Sequence, residues 1–108
     1  MLDKISADEL KRKLDQGEPL QLVAALEEYA FKTIHIPGSL YFDNPRVAVS
    51  SLDKKAETVV YCSGPSCASG PVAAQYFIRN GFEKVRLYSG GLEVWQENGF
   101  PLVKGRGF

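Results

Sequence analysis

The chemically distinctive feature of this chain is a thiol at the junction of a strand pattern and a helix pattern. A β-branched and aromatic run from Thr58 to Tyr61 leads into Cys62, and a loop of small residues continues to Pro71. An apolar run with helical periodicity follows that loop directly. Open α/β sheets bind ligands at the carboxyl edge of their strands, and this pattern places Cys62 at such an edge.

The predicted helix start favours the reactive form of this thiol. Backbone N–H groups at the beginning of a helix lack intrahelical acceptors, and the helix dipole adds partial positive charge there. Such surroundings stabilise a thiolate, which is the nucleophilic form of cysteine. The alternative interpretation is that Cys62 is a small buried apolar residue that ends a core strand. The glycine, proline and serine residues after Cys62 favour a reactive thiol.

Length and composition bound the fold and argue against several functions. With 108 residues, the chain is predicted to form one domain over residues 1–108, with a frayed tail from about residue 104. Thirteen basic and thirteen acidic residues balance, so the composition indicates neither nucleic-acid nor membrane binding. No apolar run reaches the length of about 18 residues needed to span a membrane. The charged N-terminus differs from a secretory signal, and we therefore expect a cytoplasmic protein.

The cysteine and histidine counts argue against a disulfide framework and against a metal centre. Cys62 and Cys67 are the two cysteines of the chain, and both lie in the same loop. Two thiols and the single histidine, His35, fall short of a closed zinc site. We predict no metal and no cofactor.

Strand and helix patterns alternate along the chain. Ser6 and Glu9 form a capping-box pattern that starts a helix, and Gly17 ends it. Further helices are predicted over 26–33, over 70–80 and after Gly90, with a helical turn after Pro45, and strands over 20–24, 40–42, 58–62 and 84–89. This alternation predicts an α/β fold with a mostly parallel sheet and helices on both faces.

In this order the elements resemble the rhodanese-like domain, a family of single-domain sulfurtransferases. The resemblance lies in HIPGS at 35–39, VVYC at 59–62, the helix at 72–82 and the tail at 85–101, which contains GG followed by W. It covers nearly the whole chain. It implies a three-layer fold with a central, mostly parallel sheet of five strands.

The resemblance implies that the protein is a sulfurtransferase with Cys62 as its catalytic residue. Family members use the corresponding thiolate to take sulfane sulfur from a donor such as thiosulfate, forming a cysteine persulfide. The sulfur then passes to cyanide, to a thiol or to an acceptor protein, which is unknown here. Main-chain amides of the loop hold the negative charge, and an array of N–H groups suits such an anion. The loop residues that would supply them are Ser63, Gly64, Ser66, Cys67, Ala68 and Ser69.

The loop departs from the pattern common in this family. Many single-domain members read C-x-x-G-x-R-S, whereas Cys67 stands in place of the arginine and the loop carries no charged side chain. Pro65 removes one backbone donor. Residues 24–26, Ala-Ala-Leu, replace the Asp-Val-Arg signature of an earlier strand. Related phosphatases have a C-x5-R loop, and Ala68 at the position of that arginine argues against phosphatase activity.

Three functions therefore stay open. The first is a sulfurtransferase that works through a Cys62 persulfide. The second is a non-catalytic or regulatory binding module, which the missing arginine favours. The third is a dithiol redox protein, similar to an arsenate reductase, with Cys62 and Cys67 as a disulfide couple. Cys67 itself is either a resolving thiol that attacks a Cys62 adduct or a small apolar group that fills space.

Overall fold

The fold is described for residues 3–105 in a computed structural model. In chain order its elements are β1 (Asp3–Lys4), α1 (Ala7–Asp15), β2 (Gln21–Ala24), α2 (Glu28–Thr33), β3 (Ile34–His35), α3 (Pro45–Ser51), β4 (Thr58–Tyr61), α4 (Ser69–Arg79), β5 (Val85–Tyr88), α5 (Gly91–Glu97) and β6 (Val103–Lys104). The strands predicted over 20–24, 58–62 and 84–89 are present as β2, β4 and β5. The predicted helix over 70–80 is α4.

Local signals in the sequence explain where the first helices begin. Ser6 caps α1, and its hydroxyl accepts a hydrogen bond from the Glu9 amide at 3.1 Å. The segment after Pro45 forms a full helix, because Asn44 caps it through a 2.9 Å bond from the Arg46 amide and Pro45 suits its first turn. The sequence pattern predicted only a helical turn there.

The main sheet has the strand order β1-β5-β4-β2, and all three neighbouring pairs are parallel. In register, Leu22 lies beside Val59 and Val23 beside Val60. Because successive residues of a strand point to opposite faces, these two pairs belong to different halves of the core. One half is packed by α1 and α5, and the other by α3 and α4. This arrangement confirms the predicted three-layer α/β fold.

The main sheet contains four strands, so the expectation of five strands was wrong in this detail. The segment predicted as a strand over 40–42 contributes one bridging residue, Leu40, beside Val23. The Leu40 amide donates to Leu22 at 2.8 Å, and its carbonyl accepts from Ala24 at 2.9 Å. The pairing stops there, since residues 43–44 bend into the cap of α3.

A separate antiparallel pair joins β3 to β6, with Ile34 beside Lys104. The Gly105 amide also donates to the Thr33 carbonyl at 2.9 Å. The tail expected to fray from about residue 104 is therefore hydrogen-bonded through Gly105. Residues 106–108 lie outside the described part of the chain.

The inner face of α4 consists of small residues near its start and an aromatic residue near its end. Gly70, Ala74 and Phe77 are buried, and the last two are 0% and 3% exposed. Ile78, in the last turn of the helix, is 40% exposed. The helix presents its 70-74-77 stripe to the strands, and this orientation turns Ile78 toward solvent.

Candidate active site

Cys62 directly follows β4 and lies at the carboxyl edge of the parallel sheet. Its residue is 6% exposed, so only a small part of the side chain reaches solvent. Two hydrogen bonds from the start of α5 hold the backbone here. The Leu92 amide donates to the Cys62 carbonyl at 3.1 Å, and the Glu93 amide donates to the Ser63 carbonyl at 2.9 Å. The position of the thiol therefore depends on α5 as well as on β4.

Gly91 permits this close approach of α5 to the loop. A Cβ at position 91 would lie 2.5 Å from the Cys62 carbonyl oxygen and 2.6 Å from the Gly64 nitrogen. Gly91 also has a φ of +62°, a conformation that side chains disfavour. Glycine is thus required at this position for two independent reasons.

Gly70 likewise permits a close approach, in this case of α4 to Cys62. A Cβ at position 70 would lie 3.2 Å from the Leu87 side chain and 3.5 Å from the Cβ of Cys62. The first turn of α4 is therefore in direct contact with the cysteine. As the sequence pattern predicted, the thiol lies next to the start of this helix.

The start of α4 carries uncompensated positive potential. Its N-cap, Ala68, provides no side-chain hydrogen bond, and its first turn contains no acidic residue. By contrast, α1 has a serine cap and the acidic residues Asp8 and Glu9 in its first turn. The orphan N–H groups and dipole of α4 can therefore act on an anion at Cys62.

Five of the six loop amides predicted to bind an anion have no hydrogen-bond acceptor within residues 3–105. The Cys67 amide donates to the Gly64 carbonyl at 3.1 Å and closes a turn. The other five amides donate to no acceptor within residues 3–105, and they belong to Ser63, Gly64, Ser66, Ala68 and Ser69. Five backbone donors therefore remain to bind an anionic group.

Cys62 and Cys67 are joined in a disulfide, with their Cα atoms 6.3 Å apart. The turn closed by the Gly64 carbonyl brings Cys67 back over Cys62. Cys67 is only half-buried, whereas Cys62 is buried. The remaining space beside the bridge is a cavity of about 30 Å³, whose lining includes Gly70, Pro71 and Leu87. A cavity of this size has room for a water-sized species but not for thiosulfate.

An acidic side chain lies against the loop. If Gly64 carried a Cβ, that atom would lie 2.6 Å from the Glu93 Oε2 atom. Two basic side chains of the chain are paired with carboxylates: Arg86 lies 2.9 Å from Glu9, and Lys32 lies 3.2 Å from Glu28. These ion pairs reduce the attraction that either base could exert on an anion at the loop.

A larger, apolar cleft of about 470 Å³ borders the end of the loop. Its walls include Ala25 and Leu26 after β2, and Ala68 and Ser69 at the start of α4. Glu27 is the charged residue in its lining. The Ala-Ala-Leu segment that replaces the Asp-Val-Arg signature thus makes this wall apolar.

Two tyrosines beside the site differ in how their hydroxyl groups are satisfied. The Tyr61 hydroxyl is 2.8 Å from Ser39 Oγ and accepts from the Ile36 amide at 3.1 Å. Burial raises the pKa of Tyr61, and its bond with Ser39 opposes that shift. The Tyr88 hydroxyl is buried with no partner in the described residues, and this burial raises its pKa to about 12. Sequence reasoning missed the Tyr61–Ser39 pair.

The sole histidine makes structural contacts. Its Nδ1 atom is 2.8 Å from the Phe31 carbonyl, and the His35 and Phe31 rings stack with centroids 4.0 Å apart. The adjoining Pro-Gly turn is closed by Ser39, whose amide and hydroxyl both donate to the Ile36 carbonyl. His35 thus supports α2, and the HIPGS turn is held by Ser39.

The chain is similar in sequence to known proteins over most of its length. The family model for the rhodanese-like domain matches residues 6–98. The chain belongs to the rhodanese-like domain family. It is 34% identical over 96 residues to the thiosulfate sulfurtransferase GlpE of Pseudomonas aeruginosa, covering 86% of this chain and 83% of that protein. Over 79 residues it is also 34% identical to GlpE of Pseudomonas fluorescens, covering 71% and 70% of the two chains.

Solved structures confirm the rhodanese-like fold. The Alr3790 protein of Anabaena sp. superposes with a TM-score of 0.85 at 28% identity, covering 94% of this chain and 81% of that chain. The BH2092 protein of Bacillus halodurans has a TM-score of 0.87 at 24% identity, covering 94% and 77%. The chain therefore has thiosulfate sulfurtransferases among its sequence relatives, and its fold is shared with these solved structures.

Residues 3–105 contain neither a candidate metal site nor a candidate membrane span. No group of three histidine, cysteine or acidic side chains is placed to hold a metal ion. Among the same residues, no helix has the length and apolar character needed to cross a membrane.

Proposed function

We propose that this protein is a sulfurtransferase that carries sulfane sulfur as a persulfide on Cys62, with thiosulfate as a competent donor. One observation carries the proposal: the thiol lies at the carboxyl edge of the sheet, against the uncapped start of α4. Five amides of the same loop have no hydrogen-bond acceptor within residues 3–105 and are available to an anion. A persulfide anion formed there is stabilised by fixed dipoles that need no reorganisation during the reaction.

The proposed reaction has two steps. The Cys62 thiolate attacks the outer sulfur of thiosulfate, the S–S bond of the donor breaks, and sulfite leaves with the bonding electron pair. The persulfide then gives its outer sulfur to cyanide or to a thiolate, and the Cys62 thiolate is regenerated. Backbone donors balance the negative charge throughout, because the loop has no arginine. Charge–charge attraction therefore adds little to donor binding, and we expect weak saturation with thiosulfate.

The active form of this enzyme requires reduced cysteines. In the disulfide, Cys62 Sγ is bonded to Cys67 and is not a thiolate, so it cannot act as the nucleophile that attacks the donor. Reduction must precede the first sulfur transfer. The assay therefore starts from protein reduced and desalted under argon.

The test follows the outer sulfur of labelled thiosulfate. Reduced Cys67→Ala protein is mixed with the donor, and its intact mass is recorded before cyanide is added. We expect a gain of one sulfur on Cys62, one equivalent of sulfite, and labelled thiocyanate after cyanide. The double variant Cys62→Ser/Cys67→Ala is the matched control and should show none of these products. An unchanged mass of the single variant would contradict the proposal and favour a non-catalytic module.

The disulfide supports a dithiol redox protein as a second candidate. Such a protein would reduce an oxyanion, for example arsenate, while Cys62 and Cys67 become oxidised. Under this function, reduced wild-type protein would lose two hydrogens with arsenate and would take no sulfur from thiosulfate in the Cys67→Ala background. The same mass measurement therefore distinguishes the two candidates.

A further inference from the structure

We propose that Cys67 is an internal acceptor that releases the sulfur of the Cys62 persulfide as hydrosulfide, so that the protein also acts as a dithiol-dependent sulfane reductase. This inference rests on the proposed function, because it requires a persulfide on Cys62. It adds a second outcome for the sulfur, release in place of transfer, and it assigns a role to the cysteine that stands in place of the arginine.

The backbone of the loop delivers Cys67 to the required atom. The two Cα atoms are 6.3 Å apart, a separation that a disulfide spans without backbone movement. The Cys67 amide is fixed by the Gly64 carbonyl, and the Cys62 carbonyl is fixed by Leu92. Both thiols are thus held on fixed backbone, and the sulfur that Cys67 reaches is Cys62 Sγ. This atom is the inner sulfur of a persulfide on Cys62.

The step balances in atoms, protons and electrons. The Cys67 thiol passes its proton to the outer sulfur of the persulfide and attacks Cys62 Sγ. The bond between Cys62 Sγ and the outer sulfur breaks, and the outer sulfur leaves as hydrosulfide with the electron pair. A Cys62–Cys67 disulfide forms. The outer sulfur gains two electrons, and the two cysteine sulfurs together lose two.

The resulting disulfide has one sulfur that an external reductant can reach. Cys67 is half-buried and Cys62 is buried, so an external dithiol attacks Cys67 Sγ first. Cys62 then leaves as the thiolate, the form that the free amides and the start of α4 stabilise. A second exchange frees Cys67 and oxidises the external dithiol. Each cycle therefore consumes one sulfane donor and one dithiol, and it yields sulfite and hydrosulfide.

The loop favours the internal acceptor over an external one. Cys67 belongs to the same loop as Cys62, and the two residues are close enough to bond. An external thiol must instead diffuse to Cys62, which is only 6% exposed. Attack by Cys67 is therefore intramolecular, and its effective concentration exceeds that of a free thiol.

The test is a single turnover under argon without any free thiol. Reduced, desalted wild-type protein is mixed with thiosulfate, and sulfite, hydrosulfide and intact mass are measured over time. We expect one equivalent each of sulfite and hydrosulfide per chain, and a final mass lower by two hydrogens. Cys67→Ala and Cys67→Ser should still yield sulfite but retain the sulfur on Cys62. Their hydrosulfide release should fall by about tenfold or more, because no internal thiol remains.

The outcomes separate this inference from the proposed function. Cys67→Ser is the matched control for size, since it keeps a small polar group and removes the nucleophile. If wild-type protein stays as the persulfide and releases no hydrosulfide, the internal acceptor is refuted while the sulfurtransferase stands. If neither variant of Cys67 takes up sulfur, the sulfurtransferase itself is refuted. Reduced wild-type protein kept under argon without thiosulfate must stay reduced, and a disulfide formed there would assign the bridge to oxidation alone.

Discussion

Replacing Gly91 by alanine tests whether the backbone of α5 positions the catalytic loop. The new Cβ would lie 2.5 Å from the Cys62 carbonyl oxygen, 2.6 Å from the Gly64 nitrogen and 2.8 Å from the Ser63 carbonyl carbon. All three atoms belong to the backbone, so no side chain can rotate away. The loop must move away from α5 in this variant.

The magnitude follows from two contributions. An L-residue at positive φ costs about 1–2 kcal/mol. Displacing the loop weakens the bonds from Leu92 to Cys62 and from Glu93 to Ser63, each worth about 1 kcal/mol. We therefore expect Gly91→Ala to lower the free energy of unfolding by about 3–4 kcal/mol. A shift of about 1 Å in the position of the thiol should slow persulfide formation by about a hundredfold.

Gly99→Ala is the matched control at the other end of α5. Gly99 has a φ of +72°, but a Cβ there would meet no atom within 4 Å. Gly99→Ala should lower the free energy of unfolding only by the penalty of positive φ, about 1–2 kcal/mol. Its rate of persulfide formation should be unchanged. Urea unfolding and the rate of sulfite release from thiosulfate measure the two effects. Equal losses of stability and equal rates in the two variants would refute the positioning role of Gly91.

Three further predictions concern side chains around the site. Tyr61→Phe should lower the free energy of unfolding by about 1–3 kcal/mol, because the buried Ile36 amide loses its acceptor. Tyr88→Phe should leave that free energy unchanged or raise it, because the Tyr88 hydroxyl has no partner in the described residues. Urea unfolding measures both effects, and a larger loss in Tyr88→Phe than in Tyr61→Phe would contradict this reasoning. Tyr88 has a pKa of about 12 in the folded protein, whereas tyrosine in the unfolded chain ionises near pH 10. Raising the pH from 10 to 12 therefore favours the unfolded state. Over this range, the free energy of unfolding of the wild type should fall by up to about 2–3 kcal/mol more than that of Tyr88→Phe. Glu93→Gln should raise kcat/KM for thiosulfate by about three- to fivefold at low salt and little at high salt, because a carboxylate beside Gly64 repels the dianion. Glu97→Gln, one turn along α5, should change nothing, and an equal effect of both would show a general charge effect.

Much of the fold follows from local pattern. Strands β2, β4 and β5 were predictable because buried parallel strands are continuous apolar runs, and α1 and α4 because capping and periodicity are encoded within a few residues. The missing fifth strand and the β3–β6 pair depend on contacts between distant segments. The segment around Leu40 pairs with β2 through one residue only, because the chain turns away from β2 to reach Asn44, the cap of α3. A local window carries no information about that distance.

The same division holds at the site. The sequence by itself determined that Cys62 ends a strand before a loop of small residues and a helix, because that motif is contiguous. That Cys67 stands in place of an arginine follows instead from the resemblance to the family pattern. Only the tertiary structure decided that Cys62 and Cys67 are bonded, that the Cys67 amide closes a turn, and that Gly91 meets the backbone of Cys62. The contact with α5 joins segments about thirty residues apart, and the bond depends on the direction of two side chains, so both arise from packing in three dimensions.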